Sequence, residues 1–530
     1  MKIFLSTVFL LLSLCVLCAQ ENHAGSHEKL GTVSFPVSCA PESQKPFERG
    51  VALLHSFEYE EADQQFQQIA KSDPQCAMAY LGQAMSLYHQ LWSRPAKPDL
   101  LRGRELVQRA EQTKAATSRE RDYIAAITTF YRDSETKEHG LRAAAYSQAM
   151  EKMYRRYPQD HEAAAFYALS LLATSSETDL KAQRKAVAVL QPLLAQEPDH
   201  PGIAHYMIHA CDSPELAQTG LPAAKQYAAI AASSPHAVHM PSHIFARLGM
   251  WQEDIGSNQA AIKATEEQRS RHMHVAHHEL HSLDFMEYAY LQLGEDAKAK
   301  AVVDGLPKIP RSDLPEDLQD YYNARPLIAA ALYTIETRQW KDALALQAPA
   351  NIAPYNQAHT YWARAIAAGH LRDAIAARAA VDKYKALVEA TRKSSKPFIA
   401  EYMNGPQDEA EAWALFAEGK NNEALRILRG AADRQDKVGK GEVEIPAREM
   451  LADMLFQMKR PQDALVEYEK SLRTDPNRFN GLYGAAQAAE LSNQPQKAAN
   501  YKAQLLKNRT GPDVDRPELT QVSQQMGAGH

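Results

Sequence analysis

From about residue 43 to about residue 505 one pattern recurs: two short apolar-periodic helices, small residues where they touch, an aromatic between them, and a proline or glycine at the boundary. The first unit shows it in full, with Phe47, Gly50 and Leu54 on one helix, Tyr59, Ala62, Phe66 and Ala70 on the next, and Asp73-Pro74 as the stop. Small residues permit close helix approach, and proline ends one helix while suiting the first turn of another. A unit this short cannot bury its apolar face alone, so successive units must stack. Further units stand at Cys76, Ala79, Tyr80, Gly82 and Ala84, at Tyr288, Gly294 and Ala297, and at Trp413, Gly419, Ala424 and Leu428. Another runs through Leu451, Leu455, Pro461, Ala464 and Tyr468 to Asp475-Pro476. The expectation is an all-α solenoid.

Those positions resemble tetratricopeptide (TPR) repeats, and the resemblance implies a right-handed superhelix whose first helices line a concave groove. The chain divides accordingly into a signal peptide at 1–19, an N-terminal strap at 20–42, TPR-like repeats with a histidine-rich groove at 43–300, an irregular connection at 301–330, further TPR-like repeats at 331–505 and a flexible tail at 506–530. Proline marks repeat boundaries again at Tyr157-Pro158 and Glu197-Pro198.

The histidines are unevenly placed: of 20 in the chain, 11 fall between His200 and His281. His205 and His209 form an i,i+4 pair, and His239 and His243 form another, 34 residues later. The i,i+4 spacing puts both rings of a pair on one helix face, and 34 residues is the length of one helix-pair repeat. The two pairs therefore occupy equivalent faces of neighbouring repeats. Pro201 and Pro214 bracket about three turns around His205 and His209. Pro241 interrupts the second segment, so either a helix starts there with His239 in the preceding turn or one helix is kinked. His236, His239 and His243 share one stripe there. His277 extends the ladder, and His281 can share a face with Asp284.

Neutral imidazoles suit zinc, copper or iron, and an added carboxylate also suits iron or manganese. A mononuclear site from His205, His209, His239 and His243 would be filled by protein alone. Exchanging one of these for His281 or Asp284 leaves room for water, and using all of them permits two ions. Asp284 and Glu162 are the candidates to position water or act as base, Glu162 by reaching the same cavity from the preceding inner helix. His200, His236, His272 and His274 are read as outer or surface residues. His55, His89, Trp92, Tyr123 and Arg119-Glu120 are read as structural residues of the N-terminal half. The competing account of the cluster is packing: partly buried hydrogen-bonding rings at tight inter-repeat contacts, or a wet lining for a peptide groove.

The apolar run from Ile3 to Leu17 after Lys2 reads as a secretory leader, with an uncleaved anchor as the other option. Beyond it remain Cys39, Cys76 and Cys211, which allow a Cys39–Cys76 bridge and leave Cys211 as a small buried hydrophobe. A formal net charge of −6 without a basic tract argues against a nucleic-acid partner. No later segment approaches membrane-spanning length. There is no phosphate loop, dinucleotide fingerprint, nucleophile elbow or His-Glu-x-x-His motif.

Longer strings narrow the resemblance. His-Pro-Gly-Ile-Ala-His-Tyr-Met-Ile-His-Ala at 200–210, His-Ala-Val-His-Met-Pro-Ser-His-Ile-Phe-Ala-Arg-Leu-Gly-Met-Trp at 236–251 and Leu-His-Ser-Leu-Asp-Phe at 280–285 are similar to a widespread family of exported bacterial TPR proteins. So are Leu54-His55-Ser56-Phe57, Cys76 to Tyr80 and Pro476 to Phe479, so the similarity spans nearly the whole mature chain. The family implies fold and a periplasmic or secreted location; it implies no activity. Two functions follow: a metal-binding repeat protein, as an oxidoreductase or hydrolase, or a non-catalytic scaffold taking a peptide or protein in its groove.

Overall fold

The computed structural model describes residues 28–527 apart from 92–93, 114, 176–178, 271–274, 310–313, 315–317, 439–442 and 509–515. The leader, Trp92, His272 and His274 lie outside those residues. Among the described residues every regular element is helical, and successive helices pair antiparallel along the chain. The chain is thus an all-α solenoid of helix pairs.

The first pair shows how the sequence builds the unit. Phe66 of the helix Tyr59–Ser72 is fully buried between Gly50 of the helix Gln44–His55 and Gly82 of the helix Ala77–Leu87. A Cβ at either glycine would stand 2.6 or 2.4 Å from the Phe66 ring, so both must lack one. Burial of such a ring is worth roughly 1.5–3 kcal/mol. In the pairs joined by short turns the reversal uses one left-handed residue, Gly249, Gly294 or Gly419 in some and Arg338, Arg372, Lys459 or Asn493 in others. In the first repeat that residue is Phe57, at φ 60°.

The core falls into two large bodies, one from Leu30 to Phe245 and one from Ala246 to Ala498, which divide inside the helix Pro241–Leu248. Each half curls back on itself. In the first, the helix Gln44–His55 packs against the helix Pro201–Cys211, and the extended strap joins in, with Thr32 N–H donating to the Asp199 carbonyl at 2.9 Å. The disulfide Cys39–Cys76 ties that strap to the second repeat. In the second half, Asn477 to Asn480 return to earlier repeats: Trp251 Nε1 donates to the Asn477 carbonyl at 3.0 Å, and Phe479 N–H to Gln292 Oε1 at 3.0 Å. Between them Arg478 lies buried with Glu336 at 2.6 Å and Glu449 at 2.9 Å, and its guanidinium also reaches the Tyr288 hydroxyl.

Two segments expected to be irregular or flexible contain helices. The tail at 506–530 contains the helix Pro517–Gly527, whose Leu519 and Val522 bury against Phe479, Leu482 and Leu505. Leu519, Val522 and Met526 fall on one helical stripe, which covers the last repeat, and Arg516 pairs with Asp296 at 2.9 Å. The connection at 301–330 is partly helical: a helix ends at Gly305 and another begins at Gln319, with Pro326 inside it and Tyr322 buried. Among the described residues no helix is long and apolar enough to cross a membrane.

Removing Arg478 strands two buried carboxylates, so Arg478→Met is expected to cost about 3–5 kcal/mol in urea unfolding. A change below ~1 kcal/mol would show that the network does not hold the second curl closed.

Candidate metal centre

The helix Pro201–Cys211 starts at its proline, with the His200 side chain capping it by accepting from Ile203 N–H at 3.2 Å. The three turns that follow place His205 and His209 on one face with their Nε2 atoms 3.0 Å apart. The second segment breaks at Met240, between the short helix Pro235–His239 and the helix Pro241–Leu248. Met240 stays in the right-handed helical region (φ −51°, ψ −35°), so the stripe of His236, His239 and His243 survives the break. His239 Nε2 and His243 Nε2 stand 3.1 Å apart.

The four predicted rings do not form one group. They split into two triads, His205 with His209 and His236, and His239 with His243 and His281, the candidate donor atoms of each lying within 4.8 Å of one another. His236 Nε2 is 3.0 Å from His205 Nε2. The triads abut, with ring centroids 6.3 Å apart for His209 and His243 and 6.4 Å for His236 and His239. A mononuclear site from His205, His209, His239 and His243 is therefore replaced by two adjoining groups, and His236, read as an outer residue, belongs to the first. His281 comes from the next inner helix, Ala276–Leu293.

The far nitrogens decide what the near ones can do. His205 Nδ1 donates to the His55 carbonyl at 2.5 Å. His243 Nδ1 donates to Asp212 Oδ2 at 2.9 Å, and Asp212 Oδ1 accepts from Arg247 Nε at 2.8 Å. His239 Nδ1 donates to Asn258 Oδ1 at 2.6 Å, because the Asn258 amide nitrogen is committed to Asp254 at 2.7 Å. A neutral imidazole carries one proton, so His205, His239 and His243 all present unprotonated Nε2 atoms. In the second triad two such nitrogens face each other at 3.1 Å, a separation that a shared cation would suit. An ion about 2.0–2.1 Å from each nitrogen fits that separation.

A proton is a poor choice for that cation. Burial, then the neighbouring His243, pushes His239 down to about 3. Burial and then neighbouring rings also push His205, His236 and His281 well down. Burial pushes the Asp212 carboxyl up, but Arg247 and His243 overcome it and hold the group well below the usual carboxylate range. Asp212 thus stays ionised behind His243, the arrangement that fixes a metal-binding ring and raises its basicity.

In each triad one phenylalanine ring touches all three imidazoles. Phe57 is 4.4 Å from His205 and 5.5 Å from both His209 and His236, and Phe285 is 4.9 Å from His239 and His243 and 5.3 Å from His281, all between centroids. Phe57 is placed there by its left-handed turn, which costs a bulky residue about 1–3 kcal/mol. Four rings are buried; His209 and His281, one from each triad, are partly exposed.

Neither predicted carboxylate joins a triad. Glu162 takes the Nε2–H of His55 at 2.7 Å and of His200 at 3.0 Å, and these three buried residues form a group of their own. His200 Nδ1 already accepts from Ile203 N–H and His55 Nδ1 accepts from the Tyr206 hydroxyl at 2.9 Å, so both near nitrogens carry protons. That group is a satisfied hydrogen-bond network. Asp284 is paired with Arg325 at 2.6 Å. Cys211 is buried, stands outside every candidate group among the described residues and has its thiol pushed up to about 12 by burial. Gly202 matters more than its neighbours suggested: a Cβ there would stand 2.3 Å from His55 Nδ1, so only glycine lets this helix approach His55.

No protein-family model matches the chain, and no curated protein matches it in sequence. Some solved helical-repeat structures are similar to it in structure. The human IFIT1 dimer with m7Gppp-AAAA is 12% identical, over 81% of this chain and 90% of that one, at a TM-score of 0.36. Yeast Tom70 is 13% identical, over 86% and 96%, at a TM-score of 0.31. The chain's own helix pairs make it an all-α repeat solenoid, and at those scores nothing carries over from these structures. The expected exclusion of a nucleic-acid partner is corrected, since one of these similar structures, the human IFIT1 dimer, is solved with m7Gppp-AAAA.

Asp212→Asn removes the anion behind His243, and it is expected to weaken metal binding in the second triad about 10–100-fold while sparing the first. Chelator competition measures both sites. Unchanged affinity, or equal loss at both, would show that Asp212 does not tune a ligand.

Proposed function

We propose that this chain binds two transition-metal ions side by side, one held by His205, His209 and His236 and the other by His239, His243 and His281. The observation that carries the reading is the pair of Nε2 atoms 3.1 Å apart, each ring hydrogen-bonded through its Nδ1 to a separate side-chain oxygen. Two ring nitrogens held at that separation, each ring bonded through its other nitrogen, suit joint ligation of one ion. Zinc, copper and iron all accept imidazole. Three protein donors per ion leave positions open, the hallmark of catalytic rather than structural sites. A metalloenzyme, oxidoreductase or hydrolase, is the finer form of the proposal, with the bound ions activating a small molecule beside His209 and His281.

We place the protein outside the cytoplasm, in the periplasm or secreted. The leader-like run at 1–19 and the Cys39–Cys76 disulfide support this, since such bonds persist in oxidising compartments.

A scaffold without catalysis, taking a peptide or protein in its groove, is the second reading. The helix-pair architecture favours it, because that architecture serves recognition as readily as chemistry. Elemental analysis of untagged protein purified without chelator separates the two. The metal reading expects about two ions per chain, with His205→Ala and His243→Ala each removing one. Metal-free protein whose melting is unmoved by zinc, copper or iron would leave the scaffold reading standing.

A further inference from the structure

We infer that the two ions are copper, and that in the reduced state the pair binds dioxygen between the triads as peroxide; this rests on the paired-metal reading above. The donor set points first. Both triads consist of imidazole nitrogen alone, with no carboxylate oxygen or thiolate sulfur grouped with them among the described residues. Hard ions such as magnesium, calcium and manganese call for oxygen donors, and non-haem iron sites commonly include a carboxylate. The nearby acids are committed elsewhere: Glu162 to two N–H groups, Asp284 to Arg325, and Asp212 to Arg247 and the back of His243. Copper, zinc and nickel remain.

Charge then separates them. A ligating imidazole is neutral, and Asp212, the carboxylate behind His243, already shares a guanidinium. The cost of burying charge grows with its square, so two divalent ions cost about four times two monovalent ones. Cu(I) is the monovalent candidate, and three nitrogens satisfy it. Zinc with three protein ligands takes a water as its fourth. Here Phe57 and Phe285, the rings that touch all three imidazoles of each triad, are apolar and favour the ion of lower charge. The partly exposed rings, His209 and His281, come one from each triad, so a ligand entering beside them meets both ions.

Two adjacent Cu(I) ions match the two-electron reduction of dioxygen. Each copper gives one electron and becomes Cu(II), and O2 becomes peroxide bound to both, with its O–O bond order falling from two to one. No proton and no further reductant enters that step.

The test uses the unaltered full chain. Metal-free protein is loaded anaerobically with Cu(I), with Zn(II) as competitor, and then exposed to air-saturated buffer. The inference expects two Cu(I) per chain retained against zinc and one O2 taken up per two copper ions. It also expects a new near-ultraviolet charge-transfer band and no paramagnetic resonance signal, because the peroxide couples the two Cu(II) spins. His281→Gln should abolish O2 uptake while the first triad keeps its copper. Two Cu(I) bound without O2 uptake, or oxidised to separate paramagnetic Cu(II), would overturn the inference and leave the paired-metal reading intact. Two zinc ions that copper cannot displace would do the same. Binding of neither metal would overturn both.

Discussion

The site depends on one closure. The first half of the solenoid curls until the helix ending at His55 meets the helix carrying His205, 150 residues later, and the His55 carbonyl takes the His205 Nδ1 proton at 2.5 Å. That contact sets the tautomer of His205, and the tautomer turns a packed ring into a donor of electrons at Nε2. Without the curl, His205 would be free to place its proton on either nitrogen. Gly202 permits the approach and Phe57 covers its product, so packing, backbone conformation and chemistry meet at one inter-repeat contact.

The same logic runs through the second triad with different partners. An asparagine anchored by an acid stands behind His239, and an acid anchored by an arginine stands behind His243. Each backing residue lies on, or just beyond, a helix that neighbouring repeats already hold rigid. The helix Pro241–Leu248, where the two large cores divide, carries His243 itself. A site built at that seam is supported from both halves while two of its rings stay open to solvent. The Glu162 network shows the contrast, since its histidines carry their protons on the nitrogens that face the acid and offer no lone pair.

The repeats were legible in the sequence because small residues, aromatics and boundary prolines have fixed jobs in a helix pair. The i,i+4 histidine spacing gave both close Nε2 contacts, as helical periodicity requires. What sequence could not give was the grouping. A 34-residue offset says that two pairs sit on equivalent faces, and does not say whether the faces are near enough to share one ion. His236 stood in the noted stripe, one turn before His239, yet only the three-dimensional course of the Met240–Pro241 joint shows that it serves the other pair. Asp212, three residues after His209, carried no signal of its own, because its partners His243 and Arg247 come from the next repeat. Glu162 and Asp284 stand outside both triads for the same reason in reverse: their partners His55 and Arg325 are remote in sequence. The tail looked polar and frayed until the stripe of Leu519, Val522 and Met526 found the exposed end of the last repeat.

The central claim is that two cations belong between these six rings. Anomalous diffraction from crystals of untagged protein, purified without chelator and collected at metal absorption edges, tests it most directly. The account predicts two peaks in each molecule, one within coordination distance of His205, His209 and His236 and one of His239, His243 and His281. A single peak shared by all six rings, or none with the Nε2 atoms of His239 and His243 turned apart, would contradict it.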